Sequence, residues 1–169
     1  MRFIGIDPST KTGLVALDET GEVVTAREIA YPGKDPERMF RIIEQITEYV
    51  MDEVRINGSK HKVRVTIEGF GFNSRQATLL GGIGWGIRTA LYRVGIKYTE
   101  VPPAQVKRFA CGRGNASKEY VSIGVYKRWG FESTSNNITD AYVLAQIARA
   151  QTGKLPLTKF QKEVIARIS

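Results

Sequence analysis

Asp7, Glu68 and Asp140 are the residues whose type and setting point most directly to chemistry. Asp7 closes the apolar run RFIGID, and Glu68 closes VRVTIE; the chain turns after each, at Pro8 and Gly69. In α/β sheets, ligands bind beyond the carboxyl ends of the strands. If these two strands are neighbours, their terminal carboxylates lie side by side, and like charges so close repel unless a cation sits between them. Asp140 would join from near the start of a helix, with Asn137 three residues earlier on the same helical face. Such an oxygen-rich pocket suits Mg²⁺ or Mn²⁺. Each residue also has a plainer role: Asp7 as a turn starter before Pro8, Asp140 as a favourable first-turn acid, Asn136 or Asn137 as a helix cap.

Much other chemistry is excluded by counting. The 169 residues contain one His (His61) and one Cys (Cys111), so a multi-histidine zinc site and an internal disulfide are both ruled out. No stretch reaches the roughly 18 apolar residues that span a bilayer. The N-terminal apolar run is short and is interrupted by Asp7, unlike a secretory signal. A soluble, intracellular protein is expected. Lys and Arg outnumber Asp and Glu by 25 to 17, a formal net charge of +8. That bias favours anionic partners, nucleic acid foremost, although a basic surface also serves solubility.

The elements that must hold these residues read as a β-β-β-α-β-α-β-α order. Strands are expected over 2–7, 13–18, 22–30, 63–68 and 96–101, with a hairpin at Glu19-Thr20-Gly21. Apolar spacing at Met39, Ile42, Ile43, Ile46, Val50 and Val54 predicts a helix over 36–55. Further helices are expected over 74–94, 104–111, 117–129, 137–151 and 157–168. The fold class is therefore α/β, a mixed sheet of about five strands with helices packed on it, in one domain over 1–169. The 74–94 segment carries Gly81, Gly82, Gly84 and Gly86 in its middle, each costing a helix up to about 1 kcal/mol. Either the helix breaks there, or close packing compensates, at a subunit interface or on the protein's own sheet.

Four segments resemble the motifs of RuvC-type Holliday-junction resolvases, within the RNase H-like nuclease superfamily. GIDPSTKTG (5–13) is similar to the first motif and VTIEGFGFN (65–73) to the second, with Asp7 and Glu68 as their acids. PAQVKRFACGRGNASKEYV (103–121) resembles the DNA-contacting stretch, with Lys107 and Lys118 at its basic positions. NNITDAYVLA (136–145) resembles the last motif, with Asp140 on its final acid. The resemblance implies an RNase H-like sheet with helices on both faces. It implies a metal-dependent endodeoxyribonuclease that nicks four-way junctions in pairs and leaves 5′-phosphate and 3′-hydroxyl ends. The cofactor is expected to be two Mg²⁺ ions, replaceable by Mn²⁺, held by Asp7, Glu68, Asn137 and Asp140, with Lys118 stabilising charge on the phosphate. At position 137 the family usually carries Asp or His. Asn offers a carbonyl oxygen without charge, or else is only a residue near the helix start.

Arg75, Lys107, Arg108, Arg113 and Lys118 are candidates for phosphate contacts. Phe70 and Phe72 could stack on unpaired bases or belong to the core. Lys154, Lys159, Lys162 and Arg167 extend the basic surface or form a plain solvated helix face. Paired cuts in a two-fold-symmetric junction imply a homodimer, with 74–94 as its expected interface. Flap or fork cleavage, action on RNA and noncatalytic DNA binding are the competing functions. An actin-like ATPase would need two such domains, more than this length holds.

Overall fold

A computed structural model describes residues 1–70 and 77–168. Five strands, β1 (Arg2–Asp7), β2 (Thr12–Leu17), β3 (Val23–Ile29), β4 (Val63–Glu68) and β5 (Tyr98–Val101), form one sheet in the order β3-β2-β1-β4-β5. The first three are antiparallel, whereas β1, β4 and β5 run parallel. Ile6 pairs with Ile67, so Asp7 and Glu68 leave adjacent parallel strands at the same level. This is the arrangement expected of two apolar strands ending in acids.

Alternation along the strands sends side chains to two cores. Ile4, Ile6, Leu14, Ala16, Val65 and Ile67 face α1 (Glu37–Asn57) and α2 (Ala77–Arg93). Phe3, Val15 and Leu17 face α5 (Asn136–Ala150), which is packed in turn against α3 (Pro103–Cys111) and α4 (Lys118–Trp129), while α6 (Lys159–Ile168) packs on α3 and β5. Ten of the fifteen residues of α5 are buried. A helix with the sheet on one side and two helices on the other has little polar face left.

Two strand glycines set how close α5 comes. A Cβ on Gly5 would run into the main chain at Ala141 and Ala145, and one on Gly13 into the Asn137 carbonyl. Buried Thr66 adds a tie across the same layer, its Oγ1 donating to Leu144 O at 2.6 Å. The helix bearing Asp140 is thus pressed onto the strands bearing Asp7 and Glu68.

The glycines of α2 do not break it; the described part is helical throughout. Three of the four, Gly82, Gly84 and Gly86, serve packing inside the chain. A Cβ on Gly82 would meet Met39 Cε at 2.7 Å, one on Gly86 would strike the Ile43 side chain, and one on Gly84 would meet Phe70 Cε1 at 2.7 Å. The expected helix start at 74 lies outside the described residues. Among the described residues, no helix is long and apolar enough to cross a membrane.

Candidate active site

The turn after β1 is built by its own side chains. Thr12 Oγ1 donates to Ser9 O at 2.6 Å and accepts from Ser9 N, while Lys11 N donates to Ser9 Oγ. This returns the chain into β2 and leaves Asp7 at the strand end, 7% exposed. Asp7 and Glu68 share a side-chain hydrogen bond, and both lie within the field of Asp140.

Burial raises the Asp7 pKa to about 7; the charge of Asp140 adds to the effect, and Glu68 and Lys118 oppose it. Glu68 is raised well above the usual carboxylate range, by burial first and then by the charges of Asp7 and Asp140. Burial lifts Asp140 to about 6 against the pull of Lys118 and Lys107. Three carboxyl groups therefore hold protons more tightly than water-exposed acids do. Among the described residues, no three acid, imidazole or thiol groups stand close enough together to hold a metal ion without some adjustment of their side chains. This donor set fits a hard divalent cation: all-oxygen, mutually repelling, and more readily ionised when positive charge arrives.

Ser117 caps α4 by accepting from Tyr120 N, which puts Lys118 in its first turn. Lys118 and Lys107 line a narrow cavity with Thr139 and Asp140, and Lys107 Nζ also donates to Ala116 O at 3.2 Å. Both lysines bear on Asp140; Lys118 also acts on Asp7, and Lys107 on Glu68.

The other candidates make contacts of their own. Ser135, not an asparagine, caps α5. Asn137 donates through Nδ2 to Lys11 O at 2.8 Å and to Glu28 Oε1 at 3.1 Å. Arg108 is ion-paired to Glu163 of α6, a partner within the chain that a phosphate would have to displace. Arg113 is exposed, over the Tyr120 ring at 5.3 Å from its centroid. Phe70 is half-buried, stacked on Trp85 at 5.6 Å and capped by Arg88 at 4.4 Å, so it belongs to the packing of α2 more than to an open surface. Lys154, Lys159, Lys162 and Arg167 are exposed. Phe72 and Arg75 lie outside the described residues. The Cys111 thiol donates to Lys107 O at 3.2 Å and serves the structure of α3.

Sequence reasoning missed Arg88. It is 2% exposed and binds Glu100, Gly84 O and Glu68 O. The one available signal was its isolation: a lone charge within the apolar run LLGGIGWGIRTAL.

A mixed five-stranded sheet with helices on both faces, and acids gathered at the ends of its first and fourth strands, defines the RNase H-like nuclease class. No protein-family model matches the chain. Among curated proteins, it is 25% identical over 171 aligned positions to a crossover junction endodeoxyribonuclease RuvC from Chloroherpeton thalassium, covering 96% of this chain and 89% of that one. It is 32% identical over 155 positions to a RuvC from Chlorobium phaeobacteroides, covering 86% and 79%. Among solved structures, Thermus thermophilus RuvC superposes with a TM-score of 0.68 at 21% identity, over 94% of this chain and 100% of that one. The same protein in complex with a Holliday junction substrate gives 0.64 at 20%, over 94% and 99%. The chain belongs to the RuvC family of crossover junction endodeoxyribonucleases.

Proposed function

We propose that this chain is a metal-dependent endonuclease that resolves four-way DNA junctions by paired nicks, leaving 5′-phosphate and 3′-hydroxyl ends. The observation that carries this reading is the convergence of Asp7, Glu68 and Asp140 in a partly buried, mutually repelling group on the sheet of a RuvC-family fold. Asp7, Glu68 and Asp140 would hold divalent cations, with Mg²⁺ the expected ion and Mn²⁺ a substitute. When bound, these would supply water activation and stabilisation of the leaving oxygen.

The chain's own groups do the rest. Asp7 and Glu68, fixed by strand backbone, keep their oxygens at one level. Lys118, close enough to bias Asp7 and Asp140, is placed to meet charge on a phosphate. Lys107 and Arg113 extend that positive rim, and Arg75 and Phe72 would add DNA contacts from the segment after Phe70. The whole of 1–169 acts as one nuclease domain, intracellular and DNA-associated. Two copies pair through the outer face of α2, where Trp85 is 62% and Tyr92 80% exposed. A surface of that kind is common where two proteins meet.

Matched four-way, three-way, flap and linear DNAs, each with Mg²⁺, Mn²⁺ or EDTA, test the reading. Symmetric paired nicks in the four-way junction alone are expected. Preference for flaps or forks would reassign the substrate, cleavage of RNA hybrids alone would move the chain to another RNase H-like activity, and binding without any cutting would leave a DNA-binding module.

A further inference from the structure

Glu28, on β3, has no role in the reading above. It pairs with Gly13, which pairs with Asp7, so Glu28, Gly13 and Asp7 form one row across three strands. Side chains in such a row share a face of the sheet. Gly13 leaves a gap in the row, and the main chain of Asn137 lies over it.

Three contacts converge at this place. Asn137 Nδ2 donates to Lys11 O at 2.8 Å and to Glu28 Oε1 at 3.1 Å. Ser135 Oγ, which caps α5, donates to the same Glu28 oxygen. A primary amide has two N–H donors and one acceptor oxygen. A main-chain carbonyl and a carboxylate both accept, so both select the nitrogen end of the amide. With its hydrogens taken on the β2–β3 side, Asn137 keeps only its oxygen free.

We infer that Glu28 is a positioning residue: it fixes the orientation of Asn137 so that Oδ1 serves as the uncharged oxygen donor of the cation site formed by Asp7, Glu68 and Asp140. This inference rests on the proposed reading of those acids as metal ligands. The negative charge absent from position 137 stands one contact away, on β3, where an Asp at 137 would meet it as a like charge.

Mn²⁺ titration calorimetry on the full chain, with melting temperatures recorded in parallel, tests this. Partners that orient a metal ligand typically change affinity by about 10–100-fold. Glu28→Ala is expected to weaken Mn²⁺ binding at least about 10-fold at nearly unchanged melting temperature. Glu28→Gln, which keeps an accepting oxygen, is expected to stay within about threefold of wild type on the same scale. Asn137→Asp has no hydrogen for Lys11 O or Glu28, so it should bind Mn²⁺ more weakly despite its added charge. The double variant Asn137→Asp/Glu28→Gln, in which the Gln amide donates to the new Asp, should recover binding, a coupling that a double-mutant cycle measures directly. Wild-type affinity in Glu28→Ala, or tighter binding in Asn137→Asp alone, overturns the inference. Asp7→Asn serves as the control: if it binds Mn²⁺ like wild type, the metal site itself is wrongly read, and the role of Glu28 falls with it.

Discussion

The guanidinium of Arg88 donates to the main-chain oxygen of Glu68 at 2.9 Å. The same group binds Glu100 Oε2 through Nε at 2.8 Å, takes Gly84 O at 3.0 Å and covers the Phe70 ring. One buried cation on α2 therefore fixes the end of β4, the start of the following segment and the neighbouring strand β5. Its five donors in a planar fork suit this task as a lysine's single ammonium does not.

Arg88→Lys should consequently cost more than charge conservation suggests. Losing hydrogen bonds to a buried polar group costs about 1–3 kcal/mol, which for a chain of this length lowers the melting temperature by about 2–4 °C per kcal/mol. Cleavage should fall at least about 10-fold, because a displaced ligand is felt at the reacting phosphate. Junction affinity, set largely by phosphate contacts elsewhere, should change little. Thermal melting with single-turnover cleavage and binding isotherms reads all three. Cleavage at the wild-type rate would show that Glu68 holds its place without Arg88.

The acids make the metal-free protein sensitive to pH. Asp7 and Asp140 have pKa values raised from 3.8 to about 7 and about 6. The folded state therefore binds more protons than the unfolded state between about pH 4 and 7, and stability falls as pH rises through that window. Below about pH 4 both states are protonated and the penalty vanishes. In EDTA, the melting temperature of wild type should thus drop relative to Asp7→Asn between pH 4.5 and 8, and Mg²⁺ or Mn²⁺ should restore it. Parallel pH curves for the two proteins would contradict this. Asp7→Asn, Glu68→Gln and Asp140→Asn should each abolish cutting while junction binding survives.

Lys118 and Lys107 both lower the proton affinity of Asp140. Lys118→Ala should therefore shift the rising limb of the cleavage–pH profile to higher pH, besides reducing the rate by about 10²–10³-fold through loss of phosphate stabilisation. Added metal should move the midpoint back, because cations and protons compete for the same oxygens. A rate loss with no shift in midpoint would limit Lys118 to phosphate contact.

Glycine substitutions should split by what surrounds each position. Gly5→Ala places a methyl against the α5 main chain, which has no flexible end to move, so at least about 1–3 kcal/mol of stability should be lost, and cleavage with it. A Cβ on Gly81 meets nothing within 4 Å. Gly81→Ala should stabilise the helix by about 0.5–1 kcal/mol. Chemical denaturation of the two variants decides the matter; equal effects would mean that α5 can yield.

Asp7 and Glu68 were legible because a strand-ending acid after an apolar run is a local pattern, and the parallel β1–β4 pairing then made them neighbours. Asp140 was legible from its helix position. Local pattern could not show Arg88 reaching across to Glu68, Arg108 pairing with Glu163, or Glu28 meeting Asn137, 109 residues away. Those contacts depend on strand order and on how closely α5 and α2 pack. The α2 glycines show the same limit: close packing was foreseeable, but not that its partners would be Met39, Ile43 and Phe70.

That packing leaves the opposite side of α2 exposed, the face proposed above to meet a second copy. Trp85 and Tyr92 lie seven residues apart, two turns, on one exposed stripe. Trp85 also stacks on Phe70, so replacing it would disturb the packing beside the end of β4. Tyr92 is 80% exposed and makes the cleaner probe. Tyr92→Asp introduces a charge that two-fold pairing would set near its own copy, and like charges brought together at an interface cost several kcal/mol, roughly. Sedimentation should show wild type as a dimer and Tyr92→Asp as a monomer of unchanged fold. On a four-way junction with both strands labelled, the variant should give single, uncoordinated nicks where wild type gives symmetric pairs. A variant that still sediments as a dimer would move the interface off α2, and paired nicking by a proven monomer would remove the need for a dimer altogether.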